Sequence, residues 1–268
     1  MRKKLAIINL LSVIVVIAVN YYAQIFKING VTVGEVSNKY DTLFTPAGYA
    51  FAIWGVIFLA ILGFALFQVR RAFFSEKDSP FIEQTGYWFA IANLCNTAWV
   101  IAFSYEVLWL SVILIFGLFI SLMKIVFRTN MERWDAPIEV IAFVWWPICF
   151  YSGWIAVASI ANVAAFLVKM DLAGSQLTQI IFTMVMIVIA VYINNIMTNL
   201  RNMREFAMVG AWALVAIFIK NKNDIMSVAY LALLGAIILA VTAGLHAYRN
   251  RATSPMVKWK ERFTNSRK

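Results

Sequence analysis

Charge is scarce in this chain of 268 residues: Asp, Glu, Lys and Arg together make up 13% of it, about half the share of an ordinary soluble domain. That scarcity excludes a soluble globular protein. It also excludes a disordered one, which needs many charges and few apolar residues. Twelve glycines are too few for a collagen-like repeat, and two cysteines too few for a disulfide scaffold. With one histidine, His246, and with Cys95 and Cys149 on separate apolar runs, the sequence offers no metal-ligand spacing, and no metal is expected. Carboxylates and basic residues are missing from the middle of the apolar runs, which argues against ion-coupled transport. An interior lysine on the last two runs, needed for a retinal Schiff base, is missing too.

What the chain has instead is apolar residues, 63% of the total. They fall in continuous runs rather than in the alternation of a membrane β-barrel. A spanning helix takes about 20 apolar residues. Eight runs qualify: Leu5 to Ile25, Ala47 to Val69, Tyr87 to Phe103, Leu108 to Phe127, Ile141 to Val168, Leu177 to Ile196, Phe206 to Ile219, and Met226 to Leu245. The expected fold is therefore all-α, a polytopic transmembrane bundle of about eight spans. The fifth run is longer than one crossing needs and contains Pro147, so a single bent or tilted helix is expected there.

Basic residues gather in cytoplasmic loops. With eight helices and the amino terminus inside, all 23 Lys and Arg fall on the inner side except Lys27, Lys39, Lys169, Lys220 and Lys222. Both termini are thus expected in the cytoplasm, with the lipid bilayer as the partner and no nucleic acid despite a net charge of +10. The first run lacks a small-x-small cleavage pattern and reads as a retained helix rather than a signal peptide. In the basic tail 249–268, Lys258, Trp259, Lys260, Arg262 and Phe263 interleave charge and aromatics beside the inner leaflet.

The membrane interior contains aromatics and uncharged amides. Pro147, Tyr151, Trp154, Ala158 and Asn162 follow helical spacing and share one face of the fifth run. Asn93, Asn96 and Trp99 are spaced likewise on the third, and Trp54 and Phe58 lie one turn apart on the second. Taken singly, the Asn residues read as interhelical hydrogen-bonding groups and the aromatics as packing. Taken together, three such faces make an aromatic pocket with a few polar handles.

At these residues the sequence resembles the translocator protein, or tryptophan-rich sensory protein (TspO/MBR), family. Thr45-Pro46-Ala47-Gly48-Tyr49-Ala50-Phe51-Ala52-Ile53-Trp54-Gly55-Val56-Ile57-Phe58 is similar to its Pro-Pro block, with Phe58 where Tyr is usual. Asn96-Thr97-Ala98-Trp99 resembles its Leu-Asn-x-x-Trp helix, and Phe150 to Asn162 its Pro-Tyr-x-x-Trp helix, with Phe150 in place of Pro. The Tyr and Arg/Lys of the family's sterol segment are not found after Asn162. The resemblance implies a five-helix core over 1–168, to which this chain adds three helices over 169–248. It also implies a porphyrin or haem ligand, with no cofactor required, held by Trp54, Phe58, Asn96, Trp99, Tyr151, Trp154 and Asn162. Pro46, Pro147 and Ala158 would be structural. The three added helices offer a face for a homodimer, the further partner expected. The expectation is a non-enzymatic binding protein of the bacterial inner membrane, for sensing or transport of a hydrophobic ligand. The alternative is a transporter of a neutral or amphipathic solute.

Overall fold

The structure is a computed structural model that describes residues 1–265, without the side chains of Thr253 and 261–265. The Arg262 and Phe263 part of the basic tail lies outside the described side chains. Eight long helices coincide with the eight apolar runs: α1 (Arg2–Ile25), α2 (Ile53–Phe73), α3 (Trp88–Ser104), α4 (Leu108–Arg128), α5 (Trp146–Lys169), α6 (Gln176–Arg201), α7 (Arg204–Asn221) and α8 (Met226–Arg249). A ninth, α9 (Pro255–Asn265), follows in the tail. No strand occurs among the described residues. Six of the eight are long and apolar enough to cross a membrane on those criteria alone. The other two are α3, with 17 residues, and α7, with 18 residues and three charges near its ends. The chain is thus a polytopic helical bundle.

Neighbour relations divide the bundle. Helices α1 to α5 close a ring in the order α1, α3, α4, α5, α2, while α6, α7 and α8 pack on one another and reach the ring chiefly through α7 against α5. The stretch carrying α5 is therefore central: 72% of its most apolar window is buried, against 28% for α6. Its helix begins at Ile138, and Ile141–Trp145 widens into a π turn just before Pro147. Proline lacks the N–H and clashes with the preceding turn; a π bulge absorbs both defects without breaking the helix. The long fifth run is accordingly one continuous helical span with a π turn at its proline.

Between apolar helices in lipid the hydrophobic effect gives no net attraction, so close approach and buried hydrogen bonds must hold them. Both occur. Asn9 on α1 donates to Gln68 on α2 at 2.9 Å, Asn93 on α3 donates to Ser12 on α1 at 3.0 Å, and Asn20 on α1 donates to Asn96 on α3 at 2.9 Å. On the other side, α7 approaches α5 so closely that a Cβ on Gly153 would stand 3.0 Å from the Phe206 carbonyl oxygen. Asn194 and Asn195 bond to carbonyls of their own helix, and the Asn194 side chain fills the space beside Gly210.

Contacts between loops sort them to two ends. Arg2 pairs with Asp78, Arg133 donates to the Leu200 carbonyl, and Lys258 pairs with Asp135 at one end. Lys39 pairs with Glu106 and Lys220 with Asp41 at the other. Placing Leu at Gly153 is expected to lower the unfolding temperature in detergent, by the roughly 1–3 kcal/mol that overpacking costs. Gly55→Leu, where nothing lies within 4 Å of the new Cβ, is expected to leave it unchanged.

Candidate functional site

Inside the ring, α2, α3, α4 and α5 enclose a cavity of about 40 Å³ beneath the segment 26–52. Its walls are built from four of the aromatic and small positions picked out above: Trp54 on α2, Trp99 on α3, and Trp154 and Ala158 on α5. Asn162 and Pro46 also line it. Trp54 stacks on Phe58 with ring centres 5.2 Å apart and meets Tyr151 and Trp154 edge-on at 6.0 and 6.5 Å. Phe58 and Tyr151 thus stand behind Trp54 rather than in the wall. Asn96 lies beside Tyr151, and Pro147 is one turn before Tyr151 in the first turn of α5.

The polar groups of the site differ sharply in how they are used. Asn162 is bonded at both ends of its amide: its Oδ1 accepts from Trp99 Nε1 at 2.6 Å and its Nδ2 donates to Ser111 Oγ at 2.9 Å. Ser111 in turn donates to the Leu108 carbonyl at 2.8 Å. This chain fixes α3, α5 and α4 to one another at the level of the cavity. By contrast, Trp154 Nε1 is buried with no hydrogen-bond partner, and the Tyr151 hydroxyl and Asn96 Nδ2 have none outside their own pair. Trp154 Nε1 is the group of the site with nothing bonded to it, while Asn162 keeps a second N–H and a second lone pair. No Asp, Glu, Lys, Arg or His is among the residues lining the cavity, so what the arrangement can do is hold a flat apolar surface and satisfy a few polar atoms on it.

Three contributors escape a reading by helical spacing. Phe51 lies in the 3₁₀ turn before α2 and meets Trp154 edge-on at 5.9 Å. Val33 and Ser37 come from a short helix, Val33–Lys39, that roofs the cavity. That helix starts with a capping box between Thr32 and Glu35, and Lys27 adds an ion pair to Glu35 at 2.6 Å. The Lys27 bond and the Thr32 backbone N–H pull the Glu35 carboxyl down to about 2. Bonds from Lys39 and the Tyr40 hydroxyl likewise hold Glu106, in the α3–α4 turn, below the usual carboxylate range.

Helix α7 completes the roof. Asn221 donates to the Leu43 carbonyl at 3.0 Å, the Ala47 N–H donates to the Ala216 carbonyl at 3.2 Å, and Trp212 Nε1 donates to the Ala50 carbonyl at 3.3 Å. Tyr49 lies edge-on to Trp212 at 5.2 Å. Through these bonds α7 clamps the strip 41–52 that holds Pro46 and Phe51 over the cavity.

A second, larger cavity of about 250 Å³ opens at the opposite end, walled by the 132–136 loop, Trp145, Arg204 and His246. His246 Nε2 lies 3.1 Å from Asn202 Oδ1, and Asn202 Nδ2 donates to the Glu132 carbonyl at 2.6 Å. Burial, reinforced by Glu205 and opposed by Arg204, pushes the Glu132 carboxyl up to about 8.

Replacing Asn162 by Ala strands the buried Trp99 N–H. A loss of about 1–3 kcal/mol in stability is expected, read as a lower unfolding temperature in detergent, and an unchanged temperature would contradict the pinning role.

Compared with known families, residues 6–245 match the model of TSPO-like proteins. The match runs from α1 to α8 and so takes in the three helices outside the ring. No curated protein and no solved structure matches the chain. With all but the chain's two ends inside the match, and with apolar helices long enough to cross a membrane, this integral membrane protein belongs to the TSPO-like family.

Proposed function

We propose that this protein binds a flat hydrophobic ligand of the porphyrin kind beneath its roof segment, for sensing or transport. The observation that carries the reading is the fused aromatic cluster of Phe51, Trp54, Phe58, Tyr151 and Trp154, with an indole N–H left over on Trp154. Indole and phenyl faces offer broad apolar contact, and a buried donor without a partner favours a ligand that supplies an acceptor. Ligand sites commonly hold about 300–1,000 Å³. A cavity of about 40 Å³ is closed by comparison, so binding requires the segment 26–52 to lift and the rings to part. The protein acts here as a binder and not as an enzyme.

The same reading puts it in the bacterial inner membrane with both termini in the cytoplasm. The clustering of Arg2, Arg133, Arg201 and Lys258 at one end supports that orientation. The exposed apolar face of α6, with Leu177, Ile181, Val185 and Val188, suits lipid or a second copy of the chain. Carriage of a neutral or amphipathic solute is the second reading. The 250 Å³ cavity at the far end of α5 favours it, and solute flux into proteoliposomes separates the two.

The test is titration of the purified protein with protoporphyrin and haem, following Trp fluorescence and the Soret band. Saturable binding is expected, weakened at least tenfold in Trp54→Leu and more mildly in Trp154→Phe, which keeps an aromatic ring and removes the N–H. No saturable binding, or equal binding by folded variants, would overturn the proposal.

A further inference from the structure

Three side chains that sequence spacing keeps apart meet at the inner edge of the second cavity. Glu132 comes from the α4–α5 loop, Cys149 from α5 and Glu205 from the first turn of α7. A carboxylate oxygen of each acid and the Cys149 sulfur lie within 4.8 Å of one another. Cys149 is fully buried and Glu132 only 9% exposed. Glu132 Oε1 and Glu205 Oε2 are both buried and have no hydrogen-bond partner. Arg204, the cation beside them, also has its Nε buried and unpartnered. Unfilled carboxylate oxygens in a dry setting are unfavourable unless a cation or a donor compensates them.

We propose that Glu132, Cys149 and Glu205 form a binding site for a zinc-class divalent cation. The donor set selects the metal. Calcium and magnesium take oxygen ligands only, and copper(I) prefers thiolates and thioethers, whereas one thiolate with two carboxylates suits zinc, cobalt(II) and their neighbours. Charge agrees: two carboxylates and a thiolate beside the Arg204 guanidinium leave two negative charges, which one dication cancels. Tetrahedral bonds of zinc to sulfur and oxygen place ligand atoms about 3.3–3.8 Å apart, so atoms within 4.8 Å of one another need to close by no more than about 1.5 Å, within reach of side-chain rotation. Binding forms one metal–sulfur and two metal–oxygen bonds, and the thiol proton and the proton held on the Glu132 carboxyl leave to solvent with no change of oxidation state. The cavity, which Glu132, Arg204 and His246 line, supplies the path for the ion and leaves the fourth coordination position to water.

The test uses the full chain in detergent after removal of metal with a chelator. Cobalt(II) is expected to bind with one equivalent and to give the near-ultraviolet charge-transfer band of a cobalt–thiolate bond, and zinc to displace it. Cys149→Ser is expected to abolish the band. Glu132→Gln and Glu205→Gln should each weaken binding tenfold or more, while Cys95→Ser changes nothing. The wild-type spectrum decides without any variant: no thiolate band at stoichiometric cobalt overturns the site. So does a band that survives Cys149→Ser, or one that disappears in Cys95→Ser.

Discussion

Everything in this bundle depends on one constraint of the lipid interior: a polar group there finds its partner inside the protein or finds none. Side-chain hydrogen bonds between spanning helices average only about 0.6 kcal/mol, yet they fix which helices meet and at what level. Asn9 with Gln68, Ser12 with Asn93 and Asn20 with Asn96 tie α1 to its two ring neighbours at three heights. The chain Trp99, Asn162, Ser111 does the same for α3, α4 and α5. Among the buried groups left without partners, two sets concern the cavities: Trp154 Nε1 beside the Tyr151 and Asn96 pair, and Glu132 with Glu205 at the other end.

Helix α7 connects these two places. Its first turn brings Arg204 and Glu205 to the inner cavity, Phe206 and Val209 in its first two turns pack against Gly153 of α5, and its last turns hold the strip 41–52 over the aromatic cavity. A helix outside the ring thereby braces both the site's back wall, through α5, and its roof. The clamp is made largely of bonds to main-chain carbonyls on the roof strip, with one ion pair, Lys220 to Asp41. Such bonds at the end of a bundle can be exchanged for water, which gives the roof a way to open that the buried amide pins of the ring lack.

The helices were legible because long apolar runs and their basic borders leave few alternatives, and the single long span carrying α5 because a proline near a helix start need not end it. Trp54, Trp99, Trp154, Ala158 and Asn162 were legible as neighbours because helical spacing puts each set on one face. Spacing cannot reveal what a side chain is bonded to. Asn162 reads as a ligand handle by position, and its amide also bonds Trp99 and Ser111. Nor can it place a loop. Val33, Ser37 and Phe51 reach the cavity through the fold of segment 26–52. Glu132 turns inward because the loop bends through left-handed residues, Asn130 at φ 44° and Glu132 itself at φ 60°. An acid in a loop reads as solvated; this one is buried against a cysteine and a second acid from distant parts of the chain.

The account stands on the ligand entering the ring under the roof strip. Hydrogen–deuterium exchange of the intact protein in detergent, with and without protoporphyrin, probes that directly. The backbone amides of 33–52 should exchange within minutes in the free protein and slow markedly on saturation, together with those of the α7 turns that hold the strip. Saturable binding with unchanged exchange over 33–52, and protection confined to the lipid-facing helices, would contradict it.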